Sequence, residues 1–171
     1  LSATFPQNVG QIPLFYNHKM TGRPLKGEWF EKFRNNYIDV SNAPLYPFGY
    51  GLSYTDFQYG DITLDRTSID ANGELTASIN LTNNGKYDGA EVVQLYIRDI
   101  VGSTTRPVKE LKGFEKVFLK AGESKTIEFK ITPEMLKFYN HDLDFVFEPG
   151  DFTVMIGGNS RDVKSINFTL N

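Results

Sequence analysis

A few side chains in this sequence have the types and spacing that could do chemistry. Glu28 with Glu31, and Asp142 with Asp144, are the carboxylate pairs set close together in sequence. Paired carboxylates do general acid–base work only where a pocket holds both against one substrate. Glu28 and Glu31, at i,i+3 on a short helix, read as a solvated face. Asp142 and Asp144, alternating in a strand, read as its wet side. Asp142, Asp144 and Glu148 lack the ligand-loop pattern of an EF-hand. His18 and His141 are the only imidazoles. Neither has an evident nucleophile partner, and no Gly-x-Ser-x-Gly elbow occurs. There is no Cys, which removes thiol nucleophiles, disulfide scaffolds and cysteine-ligated metals together. The reading therefore assigns no catalytic residue, no metal site and no cofactor.

Two other groups draw notice by composition. Tyr46, Phe48, Tyr50 and Tyr54 fall within nine residues that also hold Pro47, Gly49 and Gly51. The proline restricts the backbone, the glycines release it, and the rings need something to pack on. Trp29, Phe30 and Phe33 pose the same question upstream. Arg106, Lys109 and Glu110 are charges of mixed sign in a loop after an expected strand, which suits contact with a neighbouring domain or strand. They do not make a polyanion patch, and a net charge of −3 argues against nucleic acid as a partner.

These residues sit on two unlike stretches of a 171-residue chain. Residues 1–56 carry 11 of the 24 aromatics and a net charge of +1, whereas 57–171 carry 13 and −4, so the stretches are expected to do different jobs. The second stretch alternates apolar and polar residues with period two, as in Leu75, Ala77, Ile79 and Leu81 or Val93, Leu95 and Ile97. Similar runs occur at 127–131, 152–156 and 166–170. Turn pairs such as Asn72-Gly73, Asn84-Gly85, Ala121-Gly122 and Pro149-Gly150 separate them. With Phe57–Leu64 and Phe114–Leu119 added, seven or eight short strands predict a β-sandwich. Their outward positions are mostly polar, with Tyr96 the main exception. One helical turn is expected at Pro133–Leu136, with Thr132 as cap. In the first stretch, Gln11–Tyr16 is a candidate strand and Glu28–Tyr37 a candidate helix of a turn or two. About 50 residues bury too little surface to make a core alone. Residues 41–56 read as a packed connecting arm. No apolar run approaches the roughly 18 residues of a spanning helix, and residues 1–6 show no targeting signal.

The arm carries a family resemblance. Pro44-Leu45-Tyr46-Pro47-Phe48-Gly49-Tyr50-Gly51-Leu52-Ser53-Tyr54-Thr55-x-Phe57 resembles the hallmark junction of glycoside hydrolase family 3, the β-glucosidase and β-xylosidase family. Upstream, Phe5-Pro6-x-x-Val9-Gly10-Gln11-Ile12-Pro13, Tyr16-Asn17-His18-Lys19 and Thr21-Gly22-Arg23-Pro24 resemble the end of that family's α/β sandwich domain. Downstream, Tyr96-x-Arg98-Asp99, Thr105–Phe114 and Glu148-Pro149-Gly150-Asp151-Phe152 resemble its fibronectin type III-like domain. The resemblance implies a parent with a TIM-type barrel, an aspartate nucleophile in a Ser-Asp-Trp-like context and an acid/base glutamate. Neither catalytic motif is found here, since Trp29 follows Gly27-Glu28. Nor does the chain offer the two carboxylates about 5–5.5 Å apart that retaining glycosidases use.

The expectation is thus an all-β chain: a fibronectin type III/immunoglobulin-like sandwich over 57–171, the connecting arm over 41–56, and the end of a truncated α/β sandwich domain over 1–40. Its expected role is that of a non-catalytic, structural C-terminal module of a family 3 β-glucosidase-like enzyme. By resemblance, the parent acts on β-linked glycosides in the periplasm or outside the cell. Its own barrel and α/β domains are this module's partners. Tyr46, Phe48, Tyr50 and Tyr54 either stack on sugar or pack between domains, with packing favoured. Trp29, Arg106, Lys109 and Glu110 are interdomain candidates. The alternatives are a carbohydrate-binding module or a protein-interaction sandwich. A last expectation concerns the isolated chain. The Pro-rich segment 44–47 limits fold-back of the arm, so residues 1–40 are expected to pair two copies into a homodimer.

Overall fold

The structure, a computed structural model that describes residues 1–23 and 33–171, has ten strands among those residues, the long ones lying at the runs expected from the sequence. They are β1 Phe57–Leu64, β2 Ser68–Ile69, β3 Leu75–Asn83, β4 Gly89–Asp99 and β5 Glu110–Leu119. β6 Ser124–Ile131, β7 Phe138–Tyr139, β8 Phe145–Val146, β9 Gly150–Gly157 and β10 Val163–Leu170 follow. The two main sheets have the orders β1-β3-β6 and β2-β10-β9-β4-β5, and β7 pairs with β8 in a small third sheet. All pairings are antiparallel except the short β2–β10 contact. The chain changes sheet repeatedly, among other places from β3 to β4 and from β5 to β6. At the β5–β6 crossing Gly122, with φ of 77°, supplies a left-handed turn that side chains rarely adopt.

Between the sheets lies one core. Ala77, Ile79, Leu81, Ile127 and Ile131 from the smaller sheet meet Val93, Leu95, Ile97, Val154, Ile156 and Leu170 from the larger. The expected turn at Pro133–Leu136 is a 3-10 helix; Thr132 precedes it without a side-chain cap bond.

The first stretch differs from expectation in three ways. Gln11–Tyr16 is not a strand. Pro13 has no N–H to give a ladder. Gln11 instead turns inward, and its side-chain amide donates to the carbonyls of Ser41 and Ala43 at 2.8 and 2.9 Å. Of the candidate helix Glu28–Tyr37, residues 28–32 lie outside the described residues. Residues 33–37 are not helical, and Phe33 has φ of 65°, which a right-handed helix excludes. Most consequentially, the arm folds back along its own sandwich despite Pro44 and Pro47. Phe5 and Tyr46 form a bridge, and Lys19 forms another with Pro107.

Candidate functional site

The outer face of the larger sheet carries the Pro/Gly/aromatic arm. On β4 that face presents Ala90, Val92, Gln94, Tyr96 and Arg98, because register pairs Gln94 with Phe114 and Gly157, and Tyr96 with Leu111 and Met155. A half-wet strand would leave Gln94 and Tyr96 in solvent. Instead all five residues from Val93 to Ile97 are buried, and Tyr96 is 0% exposed. The expectation that Tyr96 faces water is thus corrected: the arm is its cover.

Three anchors hold the arm. At the first, Tyr16 stacks on Phe48 with centroids 4.4 Å apart and meets Tyr96 edge-on at 5.8 Å. Such pairs contribute about 0.5–1.5 kcal/mol each beyond their burial. The Leu111 amide donates to the Tyr16 hydroxyl, and the Val108 amide to the His18 carbonyl at 2.9 Å. At the second, the buried Gln94 amide donates to the carbonyls of Gly158 at 2.6 Å and Gly49 at 3.3 Å, while its oxygen accepts from the Tyr96 hydroxyl at 2.6 Å. The Ser160 amide donates to the Phe48 carbonyl at 2.8 Å. Gly49 has φ of 83°, and an added Cβ would overlap the Gln94 side chain, so this position requires glycine on two counts. At the third, the Thr55 hydroxyl donates to buried Asn83 at 2.6 Å, and the Asn83 amide donates to the carbonyls of Tyr87 and Leu119.

The arm's rings split into two groups. Phe48 lies inside the dock. Tyr46 and Tyr50 lie 4.9 Å apart at 34°, and Phe5 meets Tyr46 edge-on at 6.4 Å. Tyr54 is 97% exposed. Trp29 lies outside the described residues.

The charged candidates also separate. Arg106 donates to Glu110 at 2.9 Å, stands 3.5 Å from Asp99, and places its guanidinium carbon 4.2 Å from the centre of the Phe138 ring. Burial raises the Asp99 carboxyl above its ordinary range, outweighing Arg106. Lys109 stands apart and donates to the Ser160 carbonyl at 2.6 Å; burial, then Arg98, lowers its pKa. So these charges bind their own sandwich, and Lys109 reinforces the second anchor.

Beside that anchor is a cleft of about 570 Å³ lined by Leu1, Tyr50, Leu52, Tyr59, Glu91 and Asp162 among others. The Tyr59 hydroxyl donates to Glu91 at 3.3 Å. Burial raises Glu91, while Tyr59 and the Val92 amide pull it back. Elsewhere, the Asp142 and Asp144 amides both donate to the Asn140 side chain, and Glu148 accepts from Ser103. Among the described residues no cluster of three or more His, Asp or Glu side chains is placed to hold a metal ion. No helix among them is long and apolar enough to cross a membrane.

Sequence reasoning did not single out Gln11, Asn83, Gln94 or Ser160. The available signal was Gln94 itself: a neutral amide within Val92-Val93-Gln94-Leu95-Tyr96-Ile97 is costly unless partners wait for it.

Residues 91–160 match the fibronectin type III-like domain family. The chain is 50% identical, over 99% of its length, to a periplasmic β-glucosidase of Salmonella typhimurium, covering 22% of that protein. It is 44% identical over 99% of its length to a β-xylosidase of Formosa agariphila, covering 23% of it. The crystal structure of a β-glucosidase from Listeria innocua in complex with glucose superposes on the whole chain with a TM-score of 0.93 and 44% identity, over 24% of its own length. The chain thus spans about a fifth to a quarter of these relatives. The likeness bears out the resemblance to glycoside hydrolase family 3 and its fibronectin type III-like domain.

Proposed function

We propose that the chain is the C-terminal accessory module of a family 3 β-glucosidase-like enzyme and is itself non-catalytic. One observation carries this reading. The likeness to β-glucosidases runs through both arm and sandwich, and in the structure those two parts form one packed unit. The module's work is structural: the sandwich seats the arm, and the arm joins it to the barrel and α/β domains of the parent. In this reading residues 1–40 end the α/β domain, 41–56 connect, and 57–171 form the sandwich. Tyr46, Tyr50 and Tyr54 face the parent's other domains, as do the outer parts of Arg106, Lys109 and Glu110; Trp29, outside the described residues, is assigned to the same interface from the sequence alone. Phe48 fixes the arm on the sandwich. The parent hydrolyses terminal β-linked sugars with retention, through two carboxylates outside this chain. The periplasmic relative supports export of the parent.

The purified chain is expected to turn over neither aryl β-glucoside nor aryl β-xyloside at high protein concentration. Activity that tracks the protein peak through re-purification would overturn the reading. Sequencing the coding region upstream of Leu1 is the direct check, where a barrel with a Ser-Asp-Trp-like motif is expected.

Self-association of the isolated chain through residues 1–40 belongs to the same proposal. Fold-back covers Tyr16 and Gln11 but leaves Val9, Ile12, Phe33 and Ile38 largely in solvent. Light scattering is expected to show a dimer for the full chain and a monomer for a version starting at Ser53. Equal monomers would exclude it.

A further inference from the structure

The outer face of the larger sheet is covered over only part of its area. The covered rows are Gln94 with Gly157, and Leu111 with Tyr96 and Met155. Below them the register pairs Val92 with Lys116 and Ala90 with Phe118, and Phe114 flanks Gln94 on the open side. Phe114 is 69% exposed, Phe118 is 62% exposed, and Val92 and Tyr87 are also exposed. Phe114, Val92 and Phe118 lie in three successive outward rows of two paired strands, with Lys116 between the rings, and form one patch, not scattered exposure. Burying apolar rings is favourable in proportion to the area removed from water, so two bare rings on a rigid sheet are a costly arrangement for a surface that meets only water.

We infer that this bare part of the sheet face, centred on Phe114 and Phe118, is the seat of a further segment of the same polypeptide, from the catalytic portion of the parent. The inference rests on the accessory-module reading and adds the surface through which the module engages. Two observations choose this occupant over a second copy. First, the patch continues an intramolecular interface: Phe114 shares a row with Gln94, which already holds the arm through Gly49. Second, the relatives carry some three-quarters of their length outside the part that this chain matches, ample to supply the cover. Lys116, between the two rings on β5, sets the chemistry of that cover: apolar, with a hydrogen-bond acceptor opposite the ammonium.

Hydroxyl-radical footprinting read by mass spectrometry tests this on two samples, the 171-residue chain and the full-length parent polypeptide. In the chain, Phe114 and Phe118 should label strongly. In the parent, their labelling should fall by roughly fivefold or more, as for rings in a packed interface core, while exposed Tyr139 labels equally in both. Unchanged labelling in the parent overturns the inference and leaves the accessory-module reading intact. A parent without a barrel removes that reading itself. Protection in the isolated chain that grows with protein concentration assigns the face to a second copy and overturns the inference. Phe114→Ser with Phe118→Ser provides a separate readout: the chain's melting temperature should not move, and the parent's should fall. A fall in both would make the rings part of the module's own stability and would also overturn it.

Discussion

In the sandwich, β3 sends Leu75, Ala77, Ile79 and Leu81 inward and leaves Asn80 in water. Ahead of the sandwich, residues 5–16, which pack with the arm, bury Gln11 and leave Val9 91% exposed. The first region is organised by hydrophobic periodicity, the second by polar side chains that find backbone carbonyls. Gln11 reaches Ser41 and Ala43, Gln94 reaches Gly49 and Gly158, and Lys109 reaches Ser160. The sandwich thus owes its stability chiefly to non-directional burial. The arm owes its place to directional bonds, each contributing about 0.5–1.5 kcal/mol and each costing more if its partner is left buried and unmade. Such an arm can have one position without having a core.

The largest effect separates these regions. Leu95 on β4 is buried on the core side, and Leu95→Ala should cost about 2–5 kcal/mol through lost transfer energy and a residual cavity. A urea titration followed by far-UV circular dichroism measures it. The whole transition should move to lower urea. A loss confined to the arm, with the sandwich midpoint unmoved, would break the distinction.

A smaller effect should stay in the arm. In Gly49→Ala the new methyl group demands both a left-handed φ and the space of the Gln94 amide. The local cost is of order 1–3 kcal/mol, met by letting the arm lift. Limited proteolysis within 41–52 should accelerate, and the Ser160 amide, which bonds to Phe48, should exchange faster. Exchange in β3 should be unchanged, since local opening need not reach the core. A uniform rise in exchange would mean that arm and sandwich melt as one unit.

The same difference decides what could be read before the structure. Every long strand was legible, because each sends alternate apolar residues into the core and period two records that face. Leu75, Ala77, Ile79 and Leu81 mark β3 without help from the rest of the chain. Tyr96 was misplaced because period two assumes one wet face, and what covers Tyr96 lies 80 residues earlier, at Tyr16. The short strands β2, β7 and β8 were missed because two residues carry no period. Gln11 and Gln94 were illegible as anchors for a physical reason: their partners are backbone carbonyls, which every residue type supplies. The Tyr46–Tyr54 cluster was legible as a group that must pack. The sequence could not divide it into Phe48 inside the dock and Tyr54 in solvent, because an irregular segment has no period to say which way a ring points.

The smallest effect tests whether the arm alters the electrostatics of the sheet it covers. Glu91 lines the cleft with Leu1 and Tyr50, and its carboxyl is raised above its ordinary value near 4.5, chiefly by burial. A carboxyl whose folded pKa exceeds its unfolded pKa favours the folded state while protonated. That contribution is fully present below the unfolded value and is lost as pH rises through the folded one. At neutral pH the folded chain therefore holds a carboxylate in a place that disfavours charge. Glu91→Gln removes the charge and keeps an oxygen to accept from the Tyr59 hydroxyl. The variant should melt slightly higher than the parent chain at pH 7, and the gap should close below pH 4.5, where Glu91 itself is neutral. Combining it with Gly49→Ala sharpens the point. If the lifted arm wets the cleft, the gap at pH 7 should shrink, because desolvation is the leading cause of the shift. A gap that survives undiminished would locate the burial in Tyr59 and the sheet alone. The arm would then be a passenger on the sandwich at this end, secured by Thr55 and Gln94 but shaping nothing beneath it.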